Sequence, residues 1–456
     1  MRSLVCCVGR WPRLGEWECT AKTPALEGSR TVELEVRGAT LHARERLHFA
    51  ELPDALSLQI AEPAGRRLRV AFSSSSPHAT TTIETGGVKE YRSFWSELAR
   101  VHQVDLEPAT EVELAWSVAP VLRVASSASA HHYNRCLYDP LRGLVEERQF
   151  PVAAFTDPER GRAVARASDV FHMHWPEWTS HDPAVHRALL ALLRDEQVRI
   201  VWTQHNLLPH SRDAALPELY ALWAAAADGV IHHSRSGAAR VRERYRFRDD
   251  ALHTVIPHPH FGHLMTPPDA ADRALVEREL RLRPCALRLG VIGAPRPEKN
   301  VQLVLDAFAA SPRHDLGLLV LSLAGGERLP DDPRITALPY EMVAREVYDR
   351  RLRAIDVLVF PIQPGDLLTS GVVGDAIGAG LPALVSDWPF LHETLGDAGI
   401  RYGATRDDLT RCLDTLSRET LQAAAAAAVA LRATSSREHA ARLTLDFLDR
   451  VGSAKI

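Results

Sequence analysis

From Val121 onward the chain repeats one pattern twice: short, almost wholly apolar runs separated by stretches of helical periodicity. Near-continuous apolar runs mark strands buried on both faces. Their alternation with helices calls for parallel sheets packed between helical layers. The first series places strands at 121–126, 150–155, 170–174, 199–203, 229–232 and 253–257. The second places them at 286–293, 316–323, 355–360, 381–386 and 399–402. A Pro-rich, acidic stretch from His263 to Pro284, with room for one helix, lies between them. The expected fold class is α/β, with two doubly wound, Rossmann-like domains over 121–265 and 284–425. Their ligand crevices, at the carboxyl ends of the strands, are expected to face one another across a cleft. The amphipathic helical tail over 426–456 is expected to cross back to the first of them.

Residues 1–120 follow a different rule. TVELEVRG (31–38), ATLHARERLHF (39–49), LSLQIAE (56–62), RLRVAFS (67–73) and EVELAWSV (111–118) alternate polar and apolar residues. Such a period of two marks half-buried antiparallel strands, so a small all-β, sandwich-like domain is expected, with one short helix near Ser93–Val101. Trp11, Trp17, Trp95 and Trp116 either fill its core, the commoner use, or line a sugar-binding face.

A formal net charge of −4 gives no field that would hold nucleic acid. Cys6, Cys7, Cys19, Cys136, Cys285 and Cys412 are scattered without metal-ligand spacing and read as reduced thiols. The N-terminus lacks the long apolar core of a secretory signal. The longest alanine-rich run, Ala423 to Leu431, is too short to span a bilayer and reads as a surface helix. A cytoplasmic protein is expected, with peripheral membrane contact left open.

The segment richest in chemistry is LLTSGVVGDAIGAGLPALVSDWPFLHETLGDAGI, 367–400. Thr369-Ser370-Gly371 stands where a loop opens into a helix, and the free N–H groups of a helix start suit a phosphate. Gly374 and Gly378 lie inside that helix, each costing roughly 1 kcal/mol relative to Ala. Such a cost points to close approach, of ligand to helix or of helix to sheet. Asp375, one turn in, can accept from ribose hydroxyls. Upstream, Arg296 and Lys299 follow a strand end in a Pro-stiffened loop, where two cations can neutralise a diphosphate.

Together these segments resemble the nucleotide-sugar glycosyltransferases of the GT-B fold, especially their large retaining branch. That branch carries an Arg/Lys pair after the first strand of its second domain, then a Glu-x7-Glu loop-helix leading into an AxGxPVV strand. Lys299 matches the lysine. The arginine position is Ala294, with Arg296 a possible substitute. Ala379-Gly380-Leu381-Pro382-Ala383-Leu384-Val385 matches the strand entry, and Asp375 falls at the second glutamate. The first glutamate position is Leu367, with Asp366 one residue out of register. In the first domain, YNRCLYDPLRG (133–143) resembles the opening helix, DVFHMHWPEW (169–178) a strand end closing on a histidine, and IVWTQHNLLPH (200–210) the T-x-H strand end. The resemblance covers roughly 121–450.

What it implies is sugar transfer from a nucleoside-diphosphate sugar to an acceptor hydroxyl, with retention of configuration, without a cofactor or bound metal. Thr369, Ser370, Gly371, Arg296 and Lys299 would hold the diphosphate and Asp375 the ribose. His205, Lys299 and Arg296 would be catalytic. Tyr133, Asn134, His174 and Trp175 would face the acceptor, whether glycan, lipid-linked sugar or small molecule, and Trp178 is available to stack on sugar. The histidine groups 172/174, 232/233 and 258/260/263 lack partnering carboxylates and read poorly as metal sites. Two other classes fit the same fold: a sugar-nucleotide 2-epimerase, for which no acid pair is evident, and a non-catalytic saccharide-binding protein.

Overall fold

The computed structural model describes residues 4–5, 28–37, 40–53, 56–63, 68–84, 98–150, 157–209, 216–296, 298–363 and 365–453. The chain divides into two compact units. One comprises Met1–Val124 with Leu141–Arg148 and Leu448–Ile456; the other comprises Ala125–Pro140 with Gln149–Phe447.

The first unit contains β1 (Leu4–Val5), β2 (Gly28–Arg37), β3 (Thr40–Phe49), β4 (Leu56–Pro63), β5 (Leu68–Ser74), β6 (His78–Glu84), β7 (Leu98–Leu106) and β8 (Glu111–Pro120). They form two four-stranded sheets, β1-β4-β7-β6 and β2-β3-β8-β5, antiparallel except where β1 joins β4. Alternation decides which side chains go in. Leu41, Ala43, Leu47 and Phe49 of β3 are buried while Arg44 and Arg46 are exposed. Leu41 and Trp116 from one sheet share a cluster with Leu58, Ile60 and Val104 from the other. Trp116 is a core residue, its Nε1 donating to the buried Glu45 Oε1 at 2.7 Å. Trp11, Trp17 and Trp95 lie outside the described residues. The short helix expected near Ser93–Val101 is corrected over its described part. From Leu98 the chain is strand β7, hydrogen-bonded on both sides to β4 and β6, and this pairing overrides the local helical preference of SELAR.

Two parallel sheets follow, lying in the second unit apart from Leu122–Val124 and Val145–Arg148. The first runs β10-β9-β11-β12-β13-β14, from β9 (Leu122–Ser126), β10 (Val145–Gln149), β11 (Val170–Met173), β12 (Arg199–Thr203), β13 (Gly229–His232) and β14 (Leu252–Val255). Helices α1 (His132–Tyr138), α2 (Pro158–Arg166), α3 (Pro183–Asp195), α4 (Leu216–Ala226) and α5 (Arg235–Arg244) connect them. Every residue of β11 and β13 is buried, which is why these strands read as largely apolar runs despite His172 and His232. Of the strand expected at 150–155, all but Phe150 lies outside the described residues; the strand before it, β10, was missed because its half-exposed Val-Glu-Glu-Arg-Gln lacks an apolar run.

After α6 (Asp272–Glu279) the second sheet runs β17-β16-β15-β18-β19-β20, all pairs parallel. Its strands are β15 (Leu287–Val291), β16 (Leu316–Leu323), β17 (Ile335–Pro339), β18 (Val357–Phe360), β19 (Ala383–Val385) and β20 (Gly399–Arg401). The helices are α7 (Val301–Ala310), α8 (Arg345–Arg353), α9 (Gly371–Ala379), α10 (Pro389–Leu395), α11 (Arg406–Thr415), α12 (Arg418–Thr434) and α13 (Arg437–Ser453). Successive strand residues enter opposite clusters. Leu318, Val357 and Leu384 pack with Phe308 of α7 and Leu409 of α11, whereas Leu319, Leu358 and Val385 pack with Val373 of α9 and Leu391 of α10. The sheet is therefore covered on both faces, as a doubly wound fold requires. Among the described residues no helix is long and apolar enough to cross a membrane.

Candidate active site

A cleft of about 730 Å³ opens at the start of α9, lined there by Thr369, Ser370, Gly371, Val372 and Asp375. Ser370 is the extended N-cap and makes no side-chain capping bond. The helix start therefore offers backbone donors, and the positive end of its dipole, to the cleft.

Across from it, the loop after β15 turns at Gly293, where φ is +88°. A side chain there would collide with Val372 Cγ1 and lie 2.9 Å from Lys299 Nζ, so only glycine fits. Lys299 pairs with Ile362 in an isolated bridge, and its Nζ donates to Ala294 O at 3.0 Å. Burial pulls the ammonium down to about 8, with the nearby Arg296 charge acting the same way. Arg296 is exposed and lines the same cleft. Both cations of this loop thus border the cleft that α9 opens into.

Asp375 is 8% exposed and also lines the cleft. Its carboxylate accepts from Tyr348 Oη at 2.9 Å and from Arg345 Nη1 at 3.4 Å, both on α8. Burial raises it to about 6 against the opposing pull of Arg345. Gly374 and Gly378 make room for a neighbouring stretch of backbone. A Cβ at Gly374 would lie 3.2 Å from Pro259 O, and one at Gly378 would lie 2.6 Å from Gly262 N. At these two positions the helix is approached by the backbone of 259–262.

The wall from the first sheet is aromatic and imidazole-rich. His131 caps α1, its Nδ1 accepting from Tyr133 N at 3.2 Å. Trp175 is stacked on both sides, against His205 (4.2 Å, 15°) and against Trp178 (4.2 Å, 21°). Tyr133 meets His205, His233 and His258 at centroid distances of 4.6, 5.3 and 5.1 Å. Burial drives these histidines toward the neutral form: His258 to about 3, His233 to about 4, and His205 and His174 well below the usual imidazole range. Two expected acceptor-side residues do not line the cleft. Asn134 is buried with Oδ1 accepting from Ser126 Oγ at 2.9 Å, and His174 lies behind His205, Nδ1 to Nε2 at 3.4 Å.

Backbone and side chains tie the two sheets together beside the cleft. Leu367, in place of the first glutamate, pairs with Asn206, and Leu207 N donates to Asp366 O at 2.6 Å. Glu393 of α10 receives Arg235 N at 2.5 Å, Ser236 N at 3.0 Å and Ser236 Oγ at 3.1 Å, so it satisfies the start of α5. Arg240 lies over Trp388, 4.8 Å from its ring centre.

Sequence reasoning missed His131, His258, Phe261, Arg345 and Tyr348 as cleft-lining residues. Arg345 and Tyr348 lie one turn apart on α8, which follows the overlooked strand β17. The one local signal was the histidine pair 131–132 at a helix start. Among the described residues, no group of three His, Cys, Asp or Glu side chains is arranged to hold a metal ion. His172 bonds Tyr138 Oη at 2.6 Å and Thr203 Oγ1 at 2.8 Å, a structural use.

No protein-family model matches the chain. A GDP-mannose:glycolipid 4-beta-D-mannosyltransferase of Xanthomonas campestris pv. campestris is 26% identical over 318 residues, spanning 61% of this chain and 80% of its own. Among solved structures, the HepE protein of Anabaena in complex with UDP and glucose is similar with a TM-score of 0.56 at 13% identity, over 72% of this chain and 99% of HepE. Sucrose-phosphate synthase from Thermosynechococcus elongatus is similar with a TM-score of 0.55 at 16% identity, over 73% of this chain and all of the synthase (100%). Two six-stranded parallel sheets beside an antiparallel β region, together with the likeness to these solved structures, show that this chain has the GT-B fold.

Proposed function

We propose that the protein moves a hexosyl group from a nucleoside-diphosphate sugar to a hydroxyl of a saccharide or glycolipid acceptor. One observation carries this reading: the uncapped start of α9 and the half-buried Lys299 border the same cleft. A helix start and an ammonium with no carboxylate partner among the described residues fit a pyrophosphate. Charge gathers on the departing diphosphate as the glycosidic bond breaks, and fixed donors aimed there stabilise the transition state more than the bound substrate. In this reading Thr369, Ser370, Gly371, Lys299 and Arg296 hold the diphosphate. Asp375, steadied by Tyr348 and Arg345, faces the ribose. The acceptor approaches along Tyr133, Trp175 and His205. The glycolipid named for the Xanthomonas relative supports an amphiphilic acceptor and a passing contact with a membrane surface. The chain's reaction needs no metal in this scheme, because cationic side chains and amides do the neutralising.

Stereochemistry divides two readings. The spacing of the Lys299, Asp375 and Ala379–Val385 motifs speaks for retention. Inversion is favoured by Leu367 at the first acid position and by the beta-mannosyl product in the relative's name, since an α-linked donor yields a β-glycoside by inversion. The neutral His205 would then have a lone pair available for the acceptor proton. The anomeric configuration of the product, read by NMR, decides between them.

The donor site is tested by thermal shift with GDP, UDP, ADP and TDP and their sugars. A nucleotide at 100 times its Kd stabilises by about 2.7 kcal/mol. Binding must also follow Lys299. Above about pH 8 the free ammonium is deprotonated and has to be recharged on binding. Affinity is expected to fall roughly tenfold per pH unit there. A nucleotide that binds equally well from pH 7 to pH 10 would refute the assignment of Lys299.

A further inference from the structure

We propose that the outer face of Trp178 is a saccharide subsite, holding a pyranose ring of the acceptor at the cleft mouth while His205 lies at the buried end. The inference rests on the transferase reading and adds the acceptor's class: a sugar with at least one ring beyond the group being modified.

Three parallel rings form a column. His205, 5% exposed, is covered by Trp175, and Trp175, 7% exposed, is covered by Trp178. Trp178 ends the column at 56% exposure, and all three side chains line the cleft. One face of the Trp178 indole is therefore packed and the other is open.

The open ring is held rigidly. It ends a 3₁₀ turn, Pro176–Trp178, whose Trp178 N donates to Trp175 O at 3.1 Å and whose Thr179 N donates to Pro176 O at 3.0 Å. His131 packs at an angle on both indoles, with ring centres 4.6 and 5.5 Å away. The intervening Glu177 is buried and receives Tyr220 Oη at 3.3 Å. A flat apolar ring left in water on a fixed turn loses little entropy when a ligand covers it. The axial C–H face of a pyranose matches such a ring in size and flatness, while its hydroxyls stay in water at the rim. A nucleobase is the competing flat ligand, but the groups that anchor a nucleotide here, Lys299 and the start of α9, belong to the second sheet's domain. A ring on Trp178 lies three stacking distances from His205, so the held sugar and the reacting hydroxyl occupy different parts of the acceptor.

The test uses the full chain saturated with GDP, or with UDP if that is the nucleotide it binds. Saturation-transfer NMR is recorded with cellobiose, maltose, chitobiose and mannobiose, and with octanol as an acyl-chain probe. At least one disaccharide is expected to bind, with saturation strongest at its axial protons. Trp178→Ala should weaken that binding about tenfold and Trp178→Phe by much less. Nucleotide affinity, read by thermal shift on the same variants, should not move. The proposal is overturned if none of the four disaccharides binds, if Trp178→Ala binds them as well as the parent, if octanol competes for the ring, or if nucleotide affinity falls with the indole. Loss of nucleotide binding by the parent protein would instead overturn the transferase reading itself.

Discussion

Replacing Lys299 by Ala is expected to lower kcat by about two to three orders of magnitude, the usual cost of removing one preorganised donor from developing negative charge. The side chain is placed by its surroundings: the Lys299–Ile362 bridge fixes its backbone, Ala294 O receives its Nζ, and Gly293 leaves the space in which Nζ lies. Arginine should not rescue the variant, because the planar guanidinium is larger than the gap between Gly293 and Val372 allows. Burial already makes the ammonium costly to keep, so its removal should leave stability unchanged or slightly raised. A folded Lys299→Ala protein with parental turnover would remove the basis for placing the leaving group here.

Mild acid is expected to unfold the protein before its exposed carboxylates titrate. His172, His232 and His258 are held neutral with values near 3, and His233 near 4, all by burial. In the unfolded chain each takes up a proton at about pH 6.5. Below that pH the unfolded state binds more protons, so stability present at neutrality is lost as pH falls. At pH 5.5 each histidine costs about 1.4 kcal/mol, and four together roughly 6 kcal/mol, a large share of a typical domain's stability. The urea midpoint should drop steeply between pH 6.5 and pH 5. A flat profile over that range would contradict the buried, neutral assignment.

The parts of the fold that were readable share one physical property. Strands β11, β13 and β18 are buried on both faces, so burial wrote itself into consecutive apolar residues. Edge strands carry no such record. β17 is half-exposed throughout and ends in Pro339, and β10 has two glutamates and an arginine among its five residues. The strain of Gly374 and Gly378 was visible as an unusual cost in a helix. Its cause was not, because Pro259 and Gly262 lie far away in the chain. The same distance hid Arg345 and Tyr348, whose only distinction is where α8 places them. Thr369–Gly371, Lys299 and Trp175 could be singled out because strand ends and helix starts converge in doubly wound folds.

Glu393 has a further bearing on how the molecule turns over. Its carboxylate is the counter-ion for the first amides of α5, and it reaches them from the other sheet. Any separation of the sheets wide enough to let a bulky product escape strips those amides of their anion and leaves a half-positive helix end facing solvent.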